Sequence, residues 1–326
     1  MKNTLSKTVY IALAGMLAPV VTACDHKDMM YEGQRTEIEV IYDWRNAPDA
    51  NPASMGAVLF ENNLSEPLSL NFKGREGGLT HVPAGMYNVL GMNNDNTDWA
   101  HHRNPENIET LEIYTQEATT TSAYRLPTRA IPRAEGSEDE PIVETPGMLW
   151  SDRQDQQMIR PAAGRQVITL YPQEDVCHYT VDVYDIKNPG HMPEGSIDAT
   201  LSGMAEGFRY GPSSATDTKV TLPFALTKAN TTPPSLHGEF LTFGESPVRR
   251  NPHKLTIYYV QKDGSRKYAV YDVGSQVSDA ADRRHVHIVV RGLEFPDTVI
   301  RGGGMLPDVN EWEAVNINLP MRTIGR

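Results

Sequence analysis

The sequence predicts an all-β protein whose chain contains two successive β-rich halves. Short segments in which apolar and polar residues alternate recur along the chain, beginning with residues 37–44. After Cys24, no apolar stripe with helical spacing continues for three turns. The alternation stops between Pro127 and Pro146, in a segment that has four prolines and the acidic cluster 138–140. These observations favour two β domains joined by a linker or long loop.

Each predicted strand is a short alternating or apolar segment bounded by turn-forming residues. The strands predicted in the first half are 37–44, 56–60, 68–72, 86–92, 109–114 and 120–125. Those predicted in the second half are 166–171, 179–186, 197–201, 219–226, 237–242, 255–261, 267–273, 286–293 and 314–319. Asp263-Gly264 lies between two of these strands and is the strongest hairpin signal in the sequence.

The two halves also resemble each other in sequence. Residues 42–46 and 184–188 match in residue type at four or more of five positions. At the same offset, Ala57 meets Ala199. A match this short also arises by chance, whereas a true repeat means that both halves share one topology.

The amino terminus has the features of an export signal. A positively charged start precedes an apolar segment over residues 9–21, and small residues then lead to Cys24. This pattern resembles the lipobox of bacterial lipoproteins, in which cleavage leaves a lipid-bearing cysteine at the new amino terminus. The alternatives are an ordinary signal peptide and a transmembrane helix, but the run is shorter than the roughly 20 apolar residues that span a bilayer. We therefore expect residues 1–23 to be a signal peptide and Cys24 to be lipidated.

Charge and cysteine content narrow the partners and the chemistry. The net charge of −12 at pH 7 makes nucleic acid and anionic head groups poor partners. Attachment to a membrane would then come through the acyl chains on Cys24. With Cys24 lipidated, Cys177 has no partner for an intramolecular disulfide, because the sequence holds two cysteines. Adjacent residues on a strand point to opposite faces, so Cys177 and His178 cannot form a nucleophilic dyad, and a buried structural cysteine is favoured.

The polar loop at 93–105 is a candidate ligand-binding loop. It contains Asp98, Trp99, His101 and His102. An exposed indole with hydrogen-bonding neighbours suits a sugar ring, but we favour the alternative in which Trp99 folds back to cap a β domain.

Other patterns of chemistry-bearing residues are incomplete. Residues 93–98 resemble a calcium loop but lack its glycine and its glutamate. His285 and His287 share one face of a strand without a third metal ligand at a recognisable spacing. No catalytic motif is present, so the sequence predicts neither an enzyme, nor a cofactor, nor a metal site.

Several short motifs occur together with the lipobox. They are the first strand with Tyr-Asp-Trp at 42–44 and the second-half segments 179–183, 199–204, 240–244, 271–273 and 287–290. In this combination the chain resembles the fimbrillin-type anchor and accessory lipoproteins of Bacteroidales fimbriae, over most of residues 36–296. The resemblance implies two tandem transthyretin-like Greek-key β-sandwich domains, an outer-membrane lipid anchor and assembly by donated strands. The long segment 127–146 and the glycine-rich C-terminal stretch depart from that family, so the position in a fimbria stays open.

The domain division predicted from these observations has five parts. They are a signal peptide at 1–23, a tether at 24–35, an N-terminal β-sandwich domain at 36–126, a linker or long loop at 127–147, and a C-terminal β-sandwich domain at 148–326.

The predicted function is that of a cell-surface anchor or accessory subunit of a fimbria, whose partners are other fimbrial subunits and the outer membrane. The alternatives are a surface glycan-binding lipoprotein of a polysaccharide uptake system and a glycosidase-like enzyme with two converging carboxylates.

Overall fold

The computed structural model describes residues 35–61, 66–161, 164–248, 253–297 and 311–315. In these residues the chain forms twenty strands in four sheets, together with one short α-helix, so the predicted all-β class is confirmed. No helix in the described ranges is long and apolar enough to cross a membrane.

The strands are numbered in chain order. The first ten are β1 (Arg35–Tyr42), β2 (Ser54–Phe60), β3 (Leu68–Lys73), β4 (Gly77–Pro83), β5 (Gly85–Asn93), β6 (His101–Arg103), β7 (Glu112–Tyr114), β8 (Trp150–Ile159), β9 (Gln166–Leu170) and β10 (Gln173–Glu174). The remaining strands are β11 (Cys177–Tyr184), β12 (Ile197–Ala205), β13 (Gly207–Arg209), β14 (Ser214–Ala215), β15 (Lys219–Ala229), β16 (Ser235–Thr242), β17 (Lys254–Val260), β18 (Arg266–Asp272), β19 (His285–Arg291) and β20 (Trp312–Ala314). The helix α1 (Gly274–Ser278) lies between β18 and β19.

The first sandwich packs a three-stranded sheet against a five-stranded one. The small sheet has the order β4-β1-β9, and the large sheet has the order β10-β8-β5-β2-β3. Because side chains alternate along a strand, Ile38 and Val40 of β1 point inward and are fully buried, while Glu37 and Glu39 point away from the core. Met55 and Leu59 of β2 and the Tyr87 ring of β5 complete this core from the large sheet.

The second sandwich is built from one eight-stranded sheet that folds over on itself. Its order is β19-β11-β16-β15-β12-β17-β18-β20. The long strand β15 makes the turn: it pairs with β12 along most of its length, but with β16 only over residues 227–229. The strands β19, β11 and β16 therefore face β12, β17 and β18 across one apolar core.

The two sandwiches repeat the pairing of their first strand. β1 lies between an antiparallel neighbour, β4, and a parallel neighbour, β9. β11 likewise lies between antiparallel β16 and parallel β19. Both strands have eight residues and end on the matched tyrosines Tyr42 and Tyr184. The sequence similarity between the halves thus corresponds to equivalent positions in the fold.

The strand pairing corrects the predicted boundary at residues 147 and 148. β8 pairs with β5, and β9 pairs with β1, so residues 150–170 complete the first sandwich, and the second begins at β11. The strand β8 was missed because its sequence, WSDRQDQQMI, is polar and most of its residues are only half-buried or exposed. Its partners lie far away in the sequence, and no local pattern shows a pairing of that kind.

Residues 127–147 form a long loop, and several of its apolar side chains are buried. Ile131, Ile142 and Val143 are buried, and Ile142 bridges to Thr221 of β15. The segment covers the edge of β15 at the place where β16 has left it, so the backbone groups of β15 find partners there. The carboxylate of Glu140 accepts hydrogen bonds from the Gly203 amide and the Thr221 hydroxyl, both at 2.9 Å.

The predicted strand at 120–125 is instead a turn. The buried carboxylate of Asp198 accepts hydrogen bonds from the Thr121 hydroxyl at 2.5 Å and from the amides of Ala123 and Tyr124 at 2.5 and 3.1 Å. A single acceptor that binds three nearby donors bends the chain around itself, which is incompatible with an extended strand.

A fourth sheet connects the two sandwiches. Its order is β14-β13-β7-β6, so it joins a strand pair from the first half to a strand pair from the second. Beneath it, one apolar cluster combines Phe60 and Leu90 of the first sandwich with Ala205 and Phe243 of the second. Arg103 and Glu206 add an ion pair of 2.7 Å across the same junction.

Candidate functional site

Sheet edges are the candidate assembly sites of this protein, because an uncovered edge is a template for another strand. In the second sandwich, three edges contact other parts of the chain. β20 lies on β18, α1 lies on β19, and the loop over 141–143 lies on the free part of β15.

The cover on β18 is described over three residues of β20. β20 pairs in parallel with residues 266–268 through three residue pairs, and the Val315 amide donates to the Tyr268 carbonyl at 2.8 Å. Lys267 and Glu313, which are register partners, form an ion pair on the exposed side. The predicted last strand, 314–319, overlaps β20 at Ala314, and residues 316–326 lie outside the described part of the chain.

Trp312 attaches β20 to the rest of the sandwich. Its ring meets the Tyr258 ring edge-on, with 5.5 Å between the centroids. The indole Nε1–H donates to the Ala130 carbonyl at 3.0 Å. One side chain therefore contacts β17 and the long loop together, and β20 depends on this side chain as well as on its short ladder.

The edge of β19 is covered by a side chain. The Gln276 amide nitrogen donates to the Val289 carbonyl at 3.1 Å, and the Gln276 oxygen accepts from the Val289 amide at 2.8 Å. This pair of bonds reproduces what a neighbouring strand would supply at that residue.

The first sandwich leaves an edge open among the described residues. β9 pairs with β1 on one side, and no described strand pairs with its other side. Its sequence, QVITL, is uncharged, and the Val167 side chain is 52% exposed. An uncharged β-branched edge has few of the features that prevent strand addition.

The candidate ligand loop is folded against the junction between the sandwiches. The Trp99 ring lies 6.2 Å from the Phe243 ring, and any side chain at Gly147 would collide with its indole. His101 packs against Tyr114 at 5.7 Å between ring centroids, while Asp98 is exposed. The structure therefore does not present Trp99 beside His101 and His102 as a flat stacking surface.

The outer face of β11, β16 and β19 carries histidines that are paired with carboxylates. Asp182 receives His237 Nδ1 at 2.8 Å and His287 Nε2 at 2.7 Å, and the His178 and His285 rings are stacked at 5.3 Å. Hydrogen bonds to Asp182 and Glu239 raise the pKa of His237. No group of three or more histidine, cysteine or acidic side chains in the described ranges is arranged to hold a metal ion.

Cys177 is half-buried at the start of β11, beside a cavity of about 650 Å³. Burial raises the pKa of its thiol to about 11, so the thiol is protonated at neutral pH. Cys24, the predicted lipidation site, lies outside the described residues.

Sequence reasoning missed the side chains that cover the edges. Gln276 lies in a segment whose polar residues look like ordinary surface, and its partner Val289 is thirteen residues away in the sequence. For Trp312, the signal was an aromatic residue two positions before the predicted strand at 314–319. Its partners Tyr258 and Ala130 could not be read from the sequence.

A family model for a domain of unknown function, DUF5119, matches residues 23–225. This match covers more than half of the chain, including all of the first sandwich and the second sandwich as far as β15. The chain belongs to the DUF5119 family. No curated protein matches this DUF5119 chain in sequence.

Solved structures resemble the DUF5119 chain at low identity. A candidate adhesin from Bacteroides ovatus is 18% identical and has a TM-score of 0.59, with 85% of this chain and 100% of that chain covered. The fimbrial anchor protein Mfa2 from Porphyromonas gingivalis is 12% identical, with a TM-score of 0.45 and coverage of 79% and 90%. A candidate polysaccharide-binding protein from Bacteroides thetaiotaomicron is 11% identical, with a TM-score of 0.45 and coverage of 79% and 91%. The first of these similarities establishes a common fold.

Proposed function

We propose that this DUF5119 chain is a cell-surface lipoprotein that serves as an anchor or accessory subunit of a fimbria and assembles by β-strand addition. The observation that carries the proposal is the parallel strand β20 on the edge of β18, which the described residues show over three residue pairs. The proposed partners are other fimbrial subunits, and the proposed anchor is lipidated Cys24 in the outer membrane.

The energetics favour replacement of β20 by a longer strand. A backbone hydrogen bond contributes about 1 kcal/mol net, so the three described residue pairs between β20 and β18 contribute only a few kcal/mol. β18 has seven residues, and the described part of β20 pairs with residues 266–268. A partner strand that paired with the whole of β18 would form more hydrogen bonds than the described pairs of β20.

The arrangement of the sandwiches suits a protein anchored at its amino terminus. β1 begins at one end of the first sandwich, and the chain passes from the opposite end through β10 into β11. An anchor at Cys24 would therefore place the first sandwich near the membrane and the β18 edge beyond it.

The glycan-binding alternative receives no support from the candidate loop, because the Trp99 ring packs on Phe243 at 6.2 Å. A sugar platform would require exposed aromatic rings on one surface. The observations at the sheet edges thus favour assembly over glycan capture.

A disulfide across the cover tests the proposal. Lys267→Cys with Glu313→Cys, in a Cys177→Ser background, would fasten β20 to β18 at a register pair. We expect the oxidised variant to lose co-purification with fimbrial subunits, because the partner strand cannot enter, and reduction should restore it. The matched control is Lys254→Cys with Asp272→Cys, which joins β17 to β18 inside the same sheet and leaves the edge free. Co-purification of the oxidised edge variant at the wild-type level would contradict the proposal.

A further inference from the structure

We infer that the end of the first sandwich where β1 begins is a lipid-contacting surface, with Met86 and Met158 as the side chains that enter the membrane interface. This inference rests on the proposed anchor at Cys24 and specifies how the anchored protein stands on the bilayer.

The two methionines form one exposed apolar pair. Met86 of β5 and Met158 of β8 are register partners in antiparallel strands, so their side chains are neighbours on the same face. Each is 50% exposed, on the face of the large sheet that points away from the core. Thioether side chains are flexible and adapt to an irregular apolar environment such as the boundary of a lipid layer.

The pair lies at the end of the sandwich from which the anchor segment departs. Arg35 is the register partner of Pro83 at the start of β1, and Gly85 is the partner of Ile159 at the start of β5. Met86 follows Gly85 directly, so the pair is about 3 Å from this end at the usual rise per residue. The Thr36 hydroxyl donates to the Arg160 carbonyl at 3.4 Å, which ties the start of β1 to the end of β8.

Basic groups lie at the same end of the first sandwich as the methionines. Arg35 and Arg160 are exposed at this end, and neither pairs with an acidic side chain among the described residues. Arg165 lies nearby and pairs with Glu39. Arg160 follows Met158 by two residues, whereas Arg35 lies on the outer face of the small sheet. These guanidinium groups and the methionine pair share one end of the sandwich, and they match the phosphate and acyl layers of a lipid surface.

The distance to the anchor permits this contact without enforcing it. Cys24 precedes Arg35 by eleven residues, and a chain of that length spans at most about 40 Å. The acyl chains therefore keep this end close to the bilayer. Whether this end then contacts the lipid depends on the residues of its surface.

Two other exposed apolar residues provide a matched control. Leu79 and Val167 are 55% and 52% exposed, but they lie on the outer face of the small sheet, both in register with Glu39. Glu39 is four residues along β1 from Arg35, which places these side chains about 13 Å from the membrane-facing end.

The test uses the full-length lipidated protein in vesicles of phosphatidylethanolamine and phosphatidylglycerol that contain doxyl-labelled phosphatidylcholine. In a Cys177→Ser background, Met86→Cys, Met158→Cys, Leu79→Cys and Val167→Cys are each labelled with a polarity-sensitive fluorophore. We expect a blue shift and loss of emission by doxyl quenching at 86 and 158, and neither effect at 79 and 167.

Flotation with the vesicles distinguishes failure of the lipid-contacting surface from failure of the anchor at Cys24. If the protein floats with the vesicles but labels at 86 and 158 are not quenched more than those at 79 and 167, the lipid-contacting surface is refuted and the anchor stands. If the methionine pair contacts fimbrial subunits instead of lipid, quenching at 86 and 158 is also absent in vesicles that contain no fimbrial subunits. That result likewise refutes the lipid-contacting surface. If the protein floats no better than its Cys24→Ala variant, the anchor and the surface both fail.

Discussion

Asp198 illustrates how one buried carboxylate determines the path of a neighbouring loop. It is 1% exposed, and its oxygens accept three hydrogen bonds from residues 121–124. The loop sequence alternates enough to predict a strand, and the opposing signal is an acidic residue more than seventy positions away. Such a contact cannot be derived from local periodicity.

Asp198→Ala should destabilise the second sandwich. The substitution removes three hydrogen bonds to a charged acceptor and leaves buried donors unpaired, at a cost of about 3 kcal/mol in the free energy of unfolding. Urea denaturation followed by circular dichroism measures this loss. Asp139→Ala, at an exposed position in the long loop, is the control and should change the unfolding free energy little. Equal stability of the two variants would show that Asp198 does not hold the turn.

At the scale of elements, the sequence predicts those strands that alternate and are bounded by turn residues. The Asp263-Gly264 hairpin is found between β17 and β18, with Gly264 at φ +83°, a conformation that glycine adopts without strain. The polar strand β8 and the loop at 127–147 were misread for the same reason. Each is defined by distant partners, β5 and β15, and local composition indicates only that it is polar or rich in proline.

The candidate assembly edges likewise include one feature with a local sequence pattern and others that are defined by distant partners. The sequence predicts a last strand at 314–319, of which Ala314 lies in β20 and residues 316–319 lie outside the described ranges. The side-chain covers at Gln276 and Trp312 depend on the finished fold, because each joins segments that meet only through tertiary packing.

Gln276→Ala should loosen the edge of β19. The variant loses both bonds to Val289, so hydrogen exchange of the Val289 amide should accelerate, while global stability falls by only about 1 kcal/mol because the site is near the surface. Ser275→Ala, its exposed neighbour, is the control. Unchanged exchange at Val289 would mean that the Gln276 side chain does not protect this edge.

For the whole molecule, the fourth sheet and its apolar cluster predict that the two sandwiches unfold together. Phe208 of β13 is 6% exposed in that cluster, and its strand pairs with β7 of the first half. Interfaces within a chain that are large and apolar suppress relative motion of domains. A rigid connection of this kind would transmit load from the proposed membrane anchor to the proposed assembly edge.

Phe208→Ala should weaken this connection. Loss of a buried aromatic ring costs about 3–5 kcal/mol, and the cost falls on the junction. Scanning calorimetry should then show the single wild-type transition separating into two. Phe72→Ala is the control, because Phe72 packs on the first sandwich alone and should lower one transition without dividing it. Two transitions already in the wild type would contradict the coupling.

The central claim is that a partner strand replaces β20 on β18, and hydrogen–deuterium exchange on free and fimbria-bound protein tests it most directly. On assembly, amides in residues 312–315 should lose protection because β20 is displaced. Those in 266–272 should keep or gain protection, because the partner strand pairs with β18. Identical exchange of both segments in the free and bound protein would contradict the claim.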